Sequence, residues 1–262
     1  MPRSPKIHEV IIDKLVHGGQ GIGALDGDKK AFVWGVLPGE KVVFTETKKR
    51  KGIIEGIVKE VLEPSKNRVE PEDANYLSTS PWQIMSEKVE GNTKATILQE
   101  TFDRFGVTFR TDIDVYPTKK FYGYRNKMEY SFYGDDDGLH LALYNRGTHQ
   151  KQIVTGSSIA DPVIDKTANK ILKILNENKV RASELKTLII RSSQSGDAVA
   201  ALFVKNTKFP KIKELDGVCK GIAVEYSHPK SPASIRTEDL YSYGDISLSD
   251  TISSTTVNYD VF

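Results

Sequence analysis

Between Ile7 and Glu63 the chain never sustains the 3.6-residue apolar period of a helix, and this more than anything else limits what it can fold into. Apolar runs at His8–Val16, Ala31–Val36, Lys41–Thr45 and Ile53–Leu62 are cut apart by Gly18-Gly19-Gln20-Gly21-Ile22-Gly23 and by Leu37-Pro38-Gly39-Glu40. Short β-rich runs at such spacing predict a small OB-like antiparallel β-barrel over residues 1–63. The glycine cluster is not a dinucleotide fingerprint. Its glycines at 18, 19, 21 and 23 miss the G-x-G-x-x-G spacing, and no helix follows to offer its N-terminus to a phosphate. It reads as a turn in which positive φ costs little.

Residues 64–82 are polar and broken by Pro64 and Pro71, which marks a linker. From 83 to 250 the pattern changes to an α+β domain built on an antiparallel sheet. Ser86–Phe105 carries helical spacing through Val89, Ile97, Thr101 and Phe105. Met128, Tyr130 and Phe132 alternate with polar neighbours, and Asp135-Asp136-Asp137-Gly138 turns the chain into Leu139–Tyr144. A second helix opens with Asp161 as cap and Pro162 at its first position, and Ile164, Ala168, Ile171, Leu172 and Leu175 form its apolar stripe. Thr187–Arg191, Ala198–Val204 and Gly221–Tyr226 read as later strands.

Chemistry-bearing residues are few. The single cysteine, Cys219, allows no internal disulfide and suggests a reducing, cytoplasmic setting. It lies between apolar neighbours with no base beside it, so it reads as a buried structural thiol. The five histidines are scattered without ligand-like spacing, which predicts no metal site, and no apolar run approaches a membrane span.

Net charge is only +2, so a polyanion partner must be argued from where charge sits. Residues 1–66 hold twelve Lys+Arg against nine Asp+Glu, and the remainder holds 25 against 26. Lys48-Lys49-Arg50-Lys51 concentrates this excess between two strands of the expected barrel, as a loop for an RNA backbone or as a solvated hairpin tip. A second candidate is Phe121–Tyr130. Tyr124, Arg125 and Lys127 could stack bases and hold phosphates there, with Met128 and Tyr130 on the opposite face. The alternative is an edge strand kept soluble by its cations.

Three motifs in order carry a resemblance: His17–Gly23, Gly35-Val36-Leu37-Pro38-Gly39-Glu40 and Ser65-Lys66-Asn67-Arg68-Val69-Glu70-Pro71. Together they resemble a TRAM domain, the small RNA-binding barrel of several RNA-modifying enzymes. With Trp82-Gln83, Tyr124-Arg125-Asn126-Lys127 and Ile153-Val154, the whole resembles the 5-methyluridine RNA methyltransferases, mainly those acting on 23S ribosomal RNA. That resemblance implies a TRAM domain, then a central α+β domain, then an S-adenosylmethionine domain carrying the catalytic cysteine and base. Residues 251–262 then look like the start of the connection to that last domain. The expectation is an RNA-binding portion with no catalytic residue of its own and no bound cofactor, S-adenosylmethionine belonging to the full-length enzyme. Its partner would be structured RNA, ribosomal before transfer. Many such enzymes hold a four-iron four-sulfur cluster through cysteines after the TRAM domain and the central hairpin. Here Asp73–Gln83 and Ile153–Ser158 contain none, so no iron–sulfur cluster is expected. The competing reading is a stand-alone TRAM-type RNA-binding or chaperone protein. A TRAM-bearing radical enzyme would need a C-x-x-x-C-x-x-C motif, which is absent.

Overall fold

A computed structural model describes residues 6–108, 112–116 and 120–262. The basic start of the expected first domain, Met1–Pro5, lies outside them. Contacts divide the chain into two compact units, Met1–Lys119 with Asn145–His149, and Lys120–Tyr144 with Gln150–Phe262. Strands dominate both.

The first unit holds six strands: β1 (Ile7–Ile11), β2 (Lys14–Leu15), β3 (Gly21–Leu25), β4 (Lys29–Trp34), β5 (Lys41–Arg50) and β6 (Ile53–Glu63). They form one sheet in the order β1-β5-β6-β4-β3-β2. Two features depart from the closed antiparallel barrel expected. β4 and β6 run parallel, because β5 hairpins onto β6 and β6 then inserts beside β4 after two reversals of direction. No ladder among the described residues joins β1 to β2 or β3. A Cβ on Gly23 would lie 2.2 Å from the Ile11 carbonyl oxygen and one on Gly21 2.8 Å from the Ile12 side chain. The sheet therefore curls until β3 meets β1, and only glycine permits that approach. The turn reading of the glycine run holds for Gly18 and Gly19, which have positive φ.

Alternation along the strands turns Val10, Ile12, Ala31, Val33, Val42, Phe44 and Ile54 into a shared core. A smaller cluster of Leu15, Leu37, Ile84 and Met85 lies under α1 (Tyr76–Thr79), a 3₁₀ turn at Pro81–Ile84, and α2 (Glu87–Arg104). α2 buries no residue fully; Val89 and Ile97 pack half-buried on that cluster.

The second unit is a seven-stranded sheet in the order β13-β12-β11-β10-β7-β8-β9. Its strands are β7 (Lys127–Asp135), β8 (Gly138–Tyr144), β9 (Lys151–Ile153), β10 (Leu185–Ser192), β11 (Ala198–Val204), β12 (Gly221–Tyr226) and β13 (Glu238–Gly244). All ladders are antiparallel except β11–β12, so the sheet is mixed where an antiparallel one was expected. The cause is the excursion 205–220, which brings the chain back to start β12 beside the start of β11. α3 (Pro162–Glu177) lays Ile164, Ala168, Ile171 and Leu175 on one face, against Tyr130, Leu141, Leu188 and Ile190. Asp161 caps it, accepting the Val163 N–H at 3.1 Å. The hairpin β14 (Ser247–Ile252) and β15 (Thr255–Asp260) covers part of the opposite face, where Leu248 and Val261 meet Ile189, Ala201 and Phe203. No helix among the described residues is long and apolar enough to cross a membrane.

Candidate nucleic-acid interface

The Lys48–Lys51 run is not a loop. β5 stays paired with β6 through Lys48↔Glu55, Lys49↔Ile54 and Arg50↔Ile53, so three of the four cations ride on a strand end. Only Lys51 and Gly52 form the turn, and Gly52 takes positive φ to close it. The parallel β4–β6 ladder places Lys30 beside Ile53, on the side of Ile53 opposite Arg50. Lys29 and Lys30 thus join Lys48, Lys49, Arg50 and Lys51 in one exposed group of six cations. Arg50 lies 3.6 Å from Glu55, and the other five form no ion pair among the described residues. Asp26 and Asp28 are exposed in the adjoining β3–β4 turn. Sequence reasoning missed the two added lysines because only the parallel ladder brings them there.

Lys30, Lys48 and Arg50 share the outer sheet face with a row of rings, whereas Lys29, two residues before Ala31, and Lys49, the partner of Ile54, lie on the other. Ala31 and Val33 point into the core, so Lys30, Phe32 and Trp34 point outward along β4. At the far end Arg146 lies over the Trp34 ring, its guanidinium carbon 4.2 Å from the centroid, and its Nε donates to the Leu77 carbonyl at 2.5 Å. Arg146 forms no ion pair among the described residues, and burial holds its guanidinium below the ordinary arginine value. Next to it, a Cβ on Gly19 would lie 3.1 Å from Pro81 and 3.4 Å from Trp82. Lys94 sits 5.4 Å from the Trp82 ring centre. No motif marked Arg146, which is more than a hundred residues from Trp34 in sequence.

Tyr124, Arg125 and Lys127 lie in the second unit. Tyr124 is exposed. Arg125 precedes β7 and is half-buried, bridging to Ala160 through its backbone while its Nη1 approaches the Met128 sulfur at 4.0 Å. Lys127 opens β7, exposed, with Arg191 as its partner across the ladder. Met128 and Tyr130 are buried on the face that α3 covers.

The motif residues behind the resemblance hold structure. Glu40 is fully buried and accepts the N–H groups of Leu37 at 2.8 Å and Ser65 at 3.1 Å. Arg68 closes on it with Nε at 2.6 Å and Nη2 at 2.7 Å, and Nη2 also donates to the Gly35 carbonyl. Burial raises the Glu40 carboxyl, but these bonds outweigh it and hold the group below the usual range.

Among the described residues there is neither a set of iron–sulfur ligands nor a glycine-rich turn from strand into helix. An iron–sulfur cluster needs thiolates, and the one thiol donates to the Gly221 carbonyl and is pushed up to about 11 by burial. In the corresponding first segment, Asp73, Thr79 and Gln83 are instead buried and hydrogen-bonded to one another. A methyl-donor site of the usual type needs a glycine-rich turn from strand into helix. The run at 18–23 leads into β3, and α3 is entered through Asp161-Pro162.

No protein-family model matches the chain. The chain superposes over 97% of its length on 59% of the Pyrococcus abyssi tRNA (uracil-54, C5)-methyltransferase, crystallised with S-adenosyl-L-homocysteine, with a TM-score of 0.71 and 15% identity, so the two share a fold over that stretch. Curated relatives are named as RNA methyltransferases without a stated substrate. An uncharacterized RNA methyltransferase of Lactococcus lactis is 25% identical over 208 residues, 75% of this chain and 40% of the relative. One of Thermotoga maritima is 26% identical over 217 residues, 80% and 49% of the two chains. One of Fusobacterium nucleatum is 21% identical over 264 residues, 94% and 57%. The chain spans about half the length of the relatives it matches.

Proposed function

We propose that this chain is the RNA-gripping portion of an RNA (uracil-5-)-methyltransferase, a TRAM-type unit followed by a central unit. It holds a structured RNA while a target uridine is presented for S-adenosylmethionine-dependent methylation. The observation that carries the reading is the group of six exposed cations at the β4, β5 and β6 ends, five of them without an ion pair among the described residues. Cations placed without counter-charges repel one another, and a phosphate backbone that displaces their counterions relieves this. Tyr124, Arg125 and Lys127 are a further candidate RNA contact, belonging to the second unit by itself. The names of the relatives support RNA as the partner, and the single thiol supports a reducing, cytoplasmic setting. Ribosomal RNA is the first expectation from the sequence resemblance, whereas the structural neighbour is named for transfer RNA. Competition between ribosomal fragments and tRNA for the chain separates the two.

Replacing Lys48, Lys49, Arg50 and Lys51 together by alanine tests the grip. RNA affinity at about 0.1 M salt should fall at least tenfold. The slope of log affinity against log salt should shrink by roughly 0.7 for each phosphate no longer neutralised. An unchanged affinity and slope would remove the strand end from the interface.

A further inference from the structure

Resting on that reading, we infer that the Trp34–Arg146 pair is a stacking site for an unpaired nucleobase, at the opposite end of β4 from the cations. An RNA strand would then cross this face with its phosphates on Lys30 and Arg50 and one base laid on Arg146. Four facts meet there. Arg146 lies over Trp34 with its guanidinium carbon 4.2 Å from the ring centre. Its Nε donates to the Leu77 carbonyl, which tethers the guanidinium there. Its Nη groups have neither a hydrogen-bond partner nor an ion pair among the described residues, so a half-buried cation keeps donors to spare. Trp34 lies on the outward, alternating face of β4 with Phe32 and Lys30, about 13 Å from Lys30 at 3.3 Å per residue.

Each fact has a bland explanation alone, since arginine stacks on tryptophan in many folds. Together they describe a site for a planar, hydrogen-bonding ligand. A guanidinium held against a ring offers a second flat surface of its own, on which a base can stack. Its free Nη edge can donate to base or phosphate oxygens. Lysine would keep the charge and lose both the plane and the fork. The adjacent turn presents no side chain toward the rings, because positive φ at Gly18 and Gly19 calls for glycine there. A fully paired duplex cannot use such a site, since its bases are already stacked. The ligand class is therefore a loop, bulge or single strand.

The full chain is titrated with a fluorescein-labelled RNA hairpin bearing an unpaired loop, and with a blunt RNA duplex of equal length. The wild type should prefer the hairpin. Trp34→Ala and Arg146→Lys should each weaken hairpin binding by about 5- to 100-fold, as expected for one lost stacked base, leave duplex binding and the salt slope unchanged, and melt near the wild-type temperature. Trp34→Phe keeps a ring and should recover most of the affinity. In Trp82→Phe, which leaves Trp34 as the one tryptophan, the hairpin should quench emission and heparin, a polyanion without bases, should not. The inference is overturned if Trp34→Ala and Arg146→Lys bind hairpin like the wild type, or if heparin quenches equally. If the Lys48–Lys51 alanine variant still loses binding in that case, the RNA grip stands without the base site. A wild type that binds neither RNA removes both.

Discussion

At the scale of single residues, Glu225 is a carboxyl well displaced from its ordinary behaviour. It is 2% exposed on β12 and pairs across the ladder with Asp239 on β13. Burial, then the hydrogen bond and charge of Asp239, push it up to about 7, while Arg236, 3.4 Å away, pulls the other way. Asp239 is lowered, first by Arg236 and then by Glu225. Burial and the neighbouring carboxyl thus favour the protonated form of Glu225 below about 7, while Arg236 holds Asp239. The folded state keeps a proton on Glu225 between its ordinary value of 4.5 and about 7, where the unfolded chain has released it. Stability contributed by the raised group is therefore full below about 4.5 and is lost as pH rises to 7, by something on the order of 1–3 kcal/mol. Asp239 works in the opposite sense but in a lower window, below its ordinary 3.8. Urea unfolding at pH 5 and pH 7.5 should show the wild type weaker at the higher pH. Glu225→Gln, which keeps a donor and cannot ionise, should flatten that difference. A variant as pH-dependent as the wild type would place the titration elsewhere.

At the scale of elements, the Glu40–Arg68 pair ties the Leu37–Glu40 turn to the chain leaving β6. Glu40 has no exposed surface, so removing its partner leaves a buried charge with no counter-charge and only the Leu37 and Ser65 N–H groups to hold it. Arg68→Ala should cost about 3–5 kcal/mol in chemical denaturation. Glu40→Gln, which removes the charge as well, should cost less than Arg68→Ala, and the reverse order would show that the pair is not the clasp. This clasp also shows how much the chain reveals before folding. The motif residues were visible in sequence as a resemblance, yet their work as a buried ion pair depends on two segments 28 residues apart meeting. Elements with strong local signals were legible: α3 begins at the Asp161-Pro162 cap, and the Asp135–Gly138 turn joins β7 to β8. Pairings between distant strands were not. Nothing local says that β6 enters beside β4, so neither the open, part-parallel sheet nor the arrival of Lys29 and Lys30 beside Arg50 could be read. The strand character of Lys48–Arg50 was hidden for a related reason, since consecutive cations look like a loop until Ile53–Glu55 pairs with them.

At the scale of the whole molecule, a chain of net charge +2 should bind polyanions weakly if total charge decided the matter. Screening in physiological salt confines each charge to a radius of about 8 Å, so an RNA strand responds to the group it touches and not to the sum. Lys166, Lys170, Lys173 and Lys179 supply the control. They are exposed on or just after α3, in the second unit, whereas the cation group of the proposed grip belongs to the first. Changing these four to alanine alters the net charge by the same amount as changing Lys48–Lys51. If position governs, the α3 variant should keep the wild-type RNA affinity within about twofold and the same salt slope, while the strand-end variant falls at least about tenfold in affinity and has a shallower slope. Equal losses in the two variants would mean that the chain holds RNA by diffuse attraction, and the cation group on β4 and β5 would then have no special claim to the RNA.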